Sequence, residues 1–187
     1  MELEQLRKLT SKWFLGCTYG GEPYTVHLDE VQAVLREFGF VEDQLQIAAE
    51  LHDVFEDTRI TPGYVLSLGV DHHAVCLALL VTDEPGDNRK ARKFKSYPII
   101  ASDWRAVVLK LADRIANVRR AGKWAMYQEE HQNFREILRG CKHNLAPIMC
   151  IKIDRMWKTL DELLDFHYND YYKLEKISDQ ELVARGY

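Results

Sequence analysis

Very little in this chain breaks or staples a backbone. Among its 187 residues are only 4 cysteines, 5 prolines and 10 glycines. Cys17, Cys76, Cys141 and Cys150 show no CxxC spacing, which excludes a disulfide framework and a zinc knuckle. They are expected to be reduced, mostly buried thiols. Long hydrophobic runs are missing as well, since the cleanest, Ala74 to Val81, falls far short of the roughly 20 residues a membrane helix needs. The opening Met1-Glu2-Leu3-Glu4-Gln5 is acidic and lacks the basic and then apolar pattern of a secretory leader, so the cytoplasm is the expected compartment. Neither sign of charge dominates. With 25 basic against 29 acidic side chains the net charge is −4, which argues against a general nucleic-acid-binding surface and leaves any basic site local.

What is present suits one all-α domain. Hydrophobic residues make up 47% and charged ones 29%, the balance of a globular chain with a sizeable core. The length fits a single domain over 1–187, with a motif-bearing core over about 20–120 and C-terminal helices and tail over about 147–187. Apolar residues recur at helical spacing and no alternation reaches strand length. Helices are expected over Glu2–Leu15, Asp29–Phe38, Glu42–Phe55, Asp71–Val81, Trp104–Ala121, Tyr127–Leu138 and Ile148–Phe166. Gly20-Gly21-Glu22-Pro23, Thr61-Pro62-Gly63 and Glu84-Pro85-Gly86-Asp87 read as turns, and Asp71 and either Ser102 or Asp103 as helix caps. Trp13, Trp104, Trp124 and Trp157 read as core or interface aromatics, and Met126 to His131 with Phe134 as core or pocket rim. From about Tyr168 the chain is rich in tyrosine and charge, suiting a packed tail or a partner-binding segment; self-association stays open.

The chemistry gathers on two of these helices. At about 100° per residue, His52, Asp53, Glu56 and Asp57 share one face, opposite Ala48, Leu51, Val54 and Phe55. One imidazole and three carboxylates then face a common space, although a solvated helix face has the same pattern. The stretch Ala106 to Val118 is apolar around most of its circumference, with a narrow stripe of Lys110, Asp113, Arg114 and Asn117. Such a helix is central, and a carboxylate buried on it needs a cation: Lys110, Arg114 or a metal. His27, just after the glycine turn, lies where a loop becomes a helix and is a further ligand candidate. Two imidazoles and two carboxylates form a mixed nitrogen and oxygen set suited to Mn²⁺, Fe²⁺, Co²⁺, Ni²⁺ or Zn²⁺. The lack of thiolates argues against a structural zinc site. Two ligand carboxylates would cancel the charge of a divalent ion, so cationic side chains must help hold a phosphorylated substrate.

The order His27, His52-Asp53, Asp113 resembles the HD-domain superfamily of metal-dependent phosphohydrolases. More narrowly, Ala48 to Thr58 and Leu109 to Asn117 are similar to the hydrolase half of the RelA/SpoT family and its small alarmone hydrolases. Gly21 to His27 and Val81-Thr82-Asp83 fit the same pattern, so the resemblance spans about Gly20 to Arg120. It implies an all-α HD bundle around one divalent ion, Mn²⁺ first among the candidates, held by His27, His52, Asp53 and Asp113. It further implies that Glu56 and Asp57 position and activate the attacking water and that Asn117 contacts the nucleotide sugar. Arg89 and Arg92, in the basic run Arg89 to Lys95, would face substrate phosphates. The implied activity is hydrolysis of a phosphate ester or anhydride in a small nucleotide. Its most specific form is guanosine 3′,5′-bis(diphosphate) 3′-pyrophosphohydrolase, with a nucleotidase or nucleoside triphosphohydrolase of other base specificity beside it. A helical module that binds a nucleotide or partner without turnover is the non-enzymatic reading. Two departures stand out. Leu28 follows His27 where alarmone hydrolases have proline, and Gly16-Cys17-Thr18-Tyr19 holds no basic residue where they carry an Arg-Lys pair.

Overall fold

The computed structural model describes residues 1–120, 123–142 and 145–175. Its helices are α1 (Leu3–Trp13), α2 (Tyr24–Glu37), α3 (Asp43–Leu51), α4 (Val54–Asp57), α5 (Pro62–Ser67), α6 (His72–Val81), α7 (Arg89–Ala101), α8 (Trp104–Arg119), α9 (Trp124–Leu138) and α10 (Pro147–Glu175), with a 3₁₀ turn at Arg139–Lys142. Between α1 and α2 lies a two-stranded hairpin of β1 (Thr18–Tyr19) and β2 (Glu22–Pro23). The all-α expectation holds, with this hairpin as the exception.

Helix α8 is the axis of the bundle. Every residue from Ala106 to Val118 is buried, as a helix apolar on nearly all sides requires. It packs against α2 and α10 and also touches α6, α7 and α9. Burial of side chains such as Leu109, Leu111 and Ile115 stabilises the fold by about 1.5–3 kcal/mol each. Asp103, one of the two expected caps, starts this helix by accepting the Arg105 amide at 2.8 Å. Helix α2, the main neighbour of α8, stops at a Schellman turn. There Gly39 takes a φ of 78°, its amide reaches the Arg36 carbonyl, and the Phe40 amide reaches Leu35. The buried Phe40 ring then anchors the exit.

Several boundaries differ from expectation for identifiable reasons. Helix α2 begins at Tyr24 rather than Asp29, because Pro23 presets the backbone just before its first turn. Thr61-Pro62-Gly63 is the start of α5 and not only a turn, with Thr61 accepting the Tyr64 amide and Pro62 in the first helical turn. The basic run Arg89 to Lys95 belongs to α7, capped by Asn88; its charges and the internal Pro98 hide the apolar periodicity. Helix α10 continues beyond Phe166 to Glu175, and the rest of the expected tail, 176–187, lies outside the described residues.

The cysteine expectation needs correcting. Cys17 and Cys76 are exposed and Cys150 is half-buried; all three are free thiols. Cys17 lies in the link before the hairpin, and Cys76 lies on the outer side of α6 beside His72. The side chain of Cys141 is outside the described residues. Trp157 and Phe134 are buried, while Trp13, Trp104 and Trp124 are partly buried against the core. Asp71 caps α6 as expected through the Ala74 amide, and no helix among the described residues is long and apolar enough to cross a membrane.

The α8 cap gives a stability prediction. Asp103→Ala should cost about 1 kcal/mol at neutral pH, read from urea unfolding. Burial alone would raise the Asp103 pKa, but the Arg105 guanidinium and backbone amides hold it below the ordinary carboxylate range. Its contribution is therefore complete above the unfolded-state pKa and lost as pH falls through the depressed folded value, so the parent and the variant should converge in acid.

Candidate metal centre and active site

The four expected ligand side chains converge although they arrive from three separate segments. His27 sits in the first turn of α2, buried, and Asp113 in the middle of α8. His52 and Asp53 do not lie on a continuous helix as expected, for α3 ends at Leu51 and α4 begins at Val54. The break has a local cause. His52 Nδ1 donates to the Ala49 carbonyl at 2.8 Å, the acceptor that the Asp53 amide would use if the helix continued. The two residues between the helices then direct both side chains inward.

Distances place the donors around one point. His52 Nε2 lies 3.1 Å from Asp53 Oδ2 and 3.8 Å from Asp113 Oδ1, while His27 Nε2 lies 3.6 Å and 3.3 Å from the same two oxygens. One donor atom each from His27, His52 and Asp53 fall within 4.8 Å of one another. Donors bound at about 2.0–2.2 Å to a shared ion have comparable spacings. The donor chemistry also fits a cation. His52 donates from Nδ1 to Ala49, so its buried Nε2 faces the cluster, where no well-formed hydrogen bond satisfies it although Asp53 Oδ2 is 3.1 Å away; in the neutral imidazole that nitrogen offers a lone pair to a cation. Burial works against a charged His52, yet the adjoining Asp53 carboxylate prevails and pushes its pKa up to about 9. Burial likewise opposes an ionised Asp53, but His52 brings it down to about 2. Asp113 is held well below the usual carboxylate range, against burial, by Lys110 and the two imidazoles. These carboxylates remain charged and attract positive charge.

Of the two amino-acid partners considered for Asp113, Lys110 is the one in place, its Nζ 3.0 Å from Asp113 Oδ2. Arg114 turns the other way. Its buried guanidinium donates to Tyr97 Oη at 2.9 Å and Glu130 Oε2 at 3.0 Å, and packs 3.7 Å from the Phe134 ring centre.

A cavity of about 250 Å³ opens onto this cluster, and its walls include Glu56, Asp57, Arg89, Arg92 and Asn117. Glu56 stands at the mouth, where Oε1 accepts the Asp83 amide at 2.5 Å. The desolvating walls raise its pKa against the pull of Lys110. Asp57 accepts the Tyr24 hydroxyl, which also lies 2.8 Å from Asp53 Oδ2. Arg89 is paired with Glu130, and Arg92 Nε is 3.7 Å from Asp83 Oδ2. All nine candidate residues thus surround one space, with His52 behind the wall, although both arginines already face carboxylates.

Other residues of the site carried no legible role in the sequence. Tyr24 ties a candidate ligand to the acidic pair, Asp83 steadies Glu56, and Lys93 grips Asp83 with both oxygens at 2.7 Å. Burial and the neighbouring Lys110 lower the Lys93 pKa to about 8 despite Asp83. The only signal for Tyr24 and Asp83 was their place inside the motif stretches. Glu130 reads only within Met126 to His131, as core or pocket rim, with nothing to mark it as the partner of Arg89 and Arg114.

Fold and site together define an all-α bundle of the HD type. In sequence, the chain is 31% identical over 181 residues to the probable guanosine-3′,5′-bis(diphosphate) 3′-pyrophosphohydrolase of Synechocystis sp. (strain ATCC 27184 / PCC 6803 / Kazusa). The match covers 89% of this chain and 22% of that protein, so the chain spans about a fifth of the relative's length. A solved structure described as a metazoan ortholog of SpoT that hydrolyzes ppGpp and plays a role in starvation responses shares the fold. Its TM-score is 0.63 at 20% identity, over 83% of this chain and 93% of that one. The crystal structure of lmo0812 from Listeria monocytogenes EGD-e matches with a TM-score of 0.60 at 21% identity, over 78% of this chain and 98% of that one. No family model matches the chain. The resemblance to RelA/SpoT-like HD hydrolases read from the motifs is therefore present in both sequence and fold.

The cluster predicts metal-dependent stability. Mn²⁺ added to stripped protein at a hundredfold excess over its Kd should stabilise the fold by about 2.7 kcal/mol, seen as a raised Tm. His52→Ala should abolish the increase, whereas equal shifts in parent and variant would place the ion elsewhere.

Proposed function

We propose that the chain is a cytoplasmic, metal-dependent phosphohydrolase of small nucleotides that releases pyrophosphate from the 3′ position of guanosine 3′,5′-bis(diphosphate). The observation that carries this reading is the meeting of two imidazoles, two carboxylates and a separate acidic pair at one cavity with cationic walls. The activity in the printed description of the Synechocystis relative supports the choice of substrate.

His27, His52, Asp53 and Asp113 would hold the ion, for which Mn²⁺ is proposed. A divalent ion supplies water acidification and charge neutralisation at a phosphoryl oxygen. The protein's own groups supply the rest. Glu56, whose pKa is raised, takes a proton from the attacking water as that oxygen bonds to phosphorus, and returns it to the sugar oxygen as the bond from phosphorus to that oxygen breaks. Asp57, fixed by Tyr24, orients the water. Lys110 keeps Asp113 ionised and aimed at the cluster. Arg89 and Arg92 exchange their carboxylate partners for substrate phosphates, which suit the guanidinium fork at least as well.

One observation favours a second reading, a nucleotidase of different base specificity. Gly16 to Tyr19, beside the site, offers no cation to a guanine nucleotide. An assay with Mn²⁺ and a panel of guanosine 3′,5′-bis(diphosphate), deoxynucleoside triphosphates and monophosphates separates the two. Pyrophosphate released only from the 3′ position supports the first reading, and phosphate released from several monophosphates supports the second.

Glu56→Gln should lower kcat by about 10²–10⁴-fold while the Mn²⁺-dependent rise in Tm is retained. Because the base works ionised and its pKa is raised, the acid limb of the parent's kcat/KM profile should lie above the ordinary glutamate value of about 4.3. If parent and Glu56→Gln bind nucleotide alike and neither hydrolyses it, a binding module replaces the enzyme.

A further inference from the structure

The link between α6 and α7 places Asp83 on the cavity wall and is fastened to α7 along its length. Gly86 lies so close to that helix that a Cβ there would meet the Arg92 amide nitrogen at 3.0 Å. The Glu84 amide donates to Ser96 Oγ at 2.9 Å, and Lys95 Nζ donates to the Pro85 carbonyl at 2.7 Å. Lys93 makes the inner attachment from a buried side chain, with Nζ 2.7 Å from both oxygens of Asp83.

A buried ammonium on a cavity wall can touch a ligand directly or hold another group in place. The contacts of Lys93 favour the second. Its bonds run to both oxygens of a carboxylate whose side chain is only 11% exposed, and a carboxylate so placed is costly to leave unpaired. Arg92 Nε, 3.7 Å from Asp83 Oδ2, is too far for a hydrogen bond to take over. Asp83 then passes the constraint on through its main chain, where its amide donates to Glu56 Oε1 at 2.5 Å. A single residue thus connects a side chain of α7 to the α4 carboxylate that serves as base. The amide holds that carboxylate in one place and, by bonding its charged form, works against the burial that raises its pKa.

We propose that Lys93 is a positioning residue: by clamping the Asp83 carboxylate it keeps the Asp83 amide against Glu56 and so sets the place of the general base. The inference rests on the phosphohydrolase reading, in which Glu56 takes the proton. Without the clamp the link is still tethered to α7 through Ser96 and Lys95, so the fold survives while Glu56 loses its bond.

Lys93→Met, Asp83→Ala and the double variant test the connection. Asp83→Ala keeps the residue-83 amide and removes only the group that Lys93 grips. Each single variant should lower kcat by about 10²-fold, the cost of a reacting group displaced by ~1 Å, with KM within about threefold of the parent's. The double variant should be no slower than either, since both changes cut one connection. A lysine acting directly on substrate gives a different pattern, in which Lys93→Met raises KM while Asp83→Ala frees the ammonium and spares kcat. The clamp is also visible without turnover. In ¹H–¹⁵N spectra the residue-83 amide proton, deshielded by its carboxylate acceptor, should move upfield in Glu56→Ala and likewise in Lys93→Met, with the Mn²⁺-dependent rise in Tm retained in both. Because this resonance reports the clamp by itself, absent hydrolysis counts against the enzyme reading alone. A residue-83 amide that stays at its parental position in Lys93→Met, or an Asp83→Ala variant with parental kcat, overturns the role of Lys93.

Discussion

Two carboxylates, Asp53 and Asp113, are brought together at the centre of a helical bundle, and the need to balance their charge organises the site. A buried carboxylate without compensation is costly, and two in proximity are worse. The protein supplies part of the balance through Lys110 and through the imidazoles of His27 and His52. The buried His52 Nε2 faces the same carboxylates without making a well-formed hydrogen bond, a geometry that a shared cation would satisfy.

The surrounding fold serves this convergence. An apolar α8 can place Asp113 in the interior because the rest of its circumference buries favourably, and α2 brings His27 against it. The interruption between α3 and α4 sacrifices one helical hydrogen bond and replaces it with the one from His52 to Ala49. That exchange turns the His-Asp pair inward. A connected set of aromatic rings, Phe14 on Tyr24 and Tyr19 on His27, links the ligands to the hairpin and makes the hairpin part of the site.

Much of this was legible from residue order alone. The apolar span Ala106 to Val118 identified the central helix, and the lone carboxylate within it called for a cation before any fold was known. The motif resemblance brought His27, His52 and Asp53 to the same place. What stayed hidden depends on tertiary partners. A helical wheel treats His52 to Asp57 as continuous because it has no means of representing an imidazole competing for a carbonyl. The partners of the run Arg89 to Lys95 stay hidden until Glu130 and Asp83 arrive from other segments. Arg114 sits beside Asp113 in sequence yet belongs to Glu130, since neighbouring residues on a helix point about 100° apart. Tyr19 is part of the site only because two glycines fold the hairpin over it.

The central claim is that four side chains hold a single ion. Anomalous diffraction from crystals grown with Mn²⁺ tests it most directly. The account predicts one manganese peak per chain, bonded to nitrogen of His27 and His52 and oxygen of Asp53 and Asp113 at about 2.0–2.2 Å. A fully loaded crystal with manganese bound elsewhere, or with the Lys110 ammonium retaining Asp113 while the imidazoles stay unligated, would contradict it.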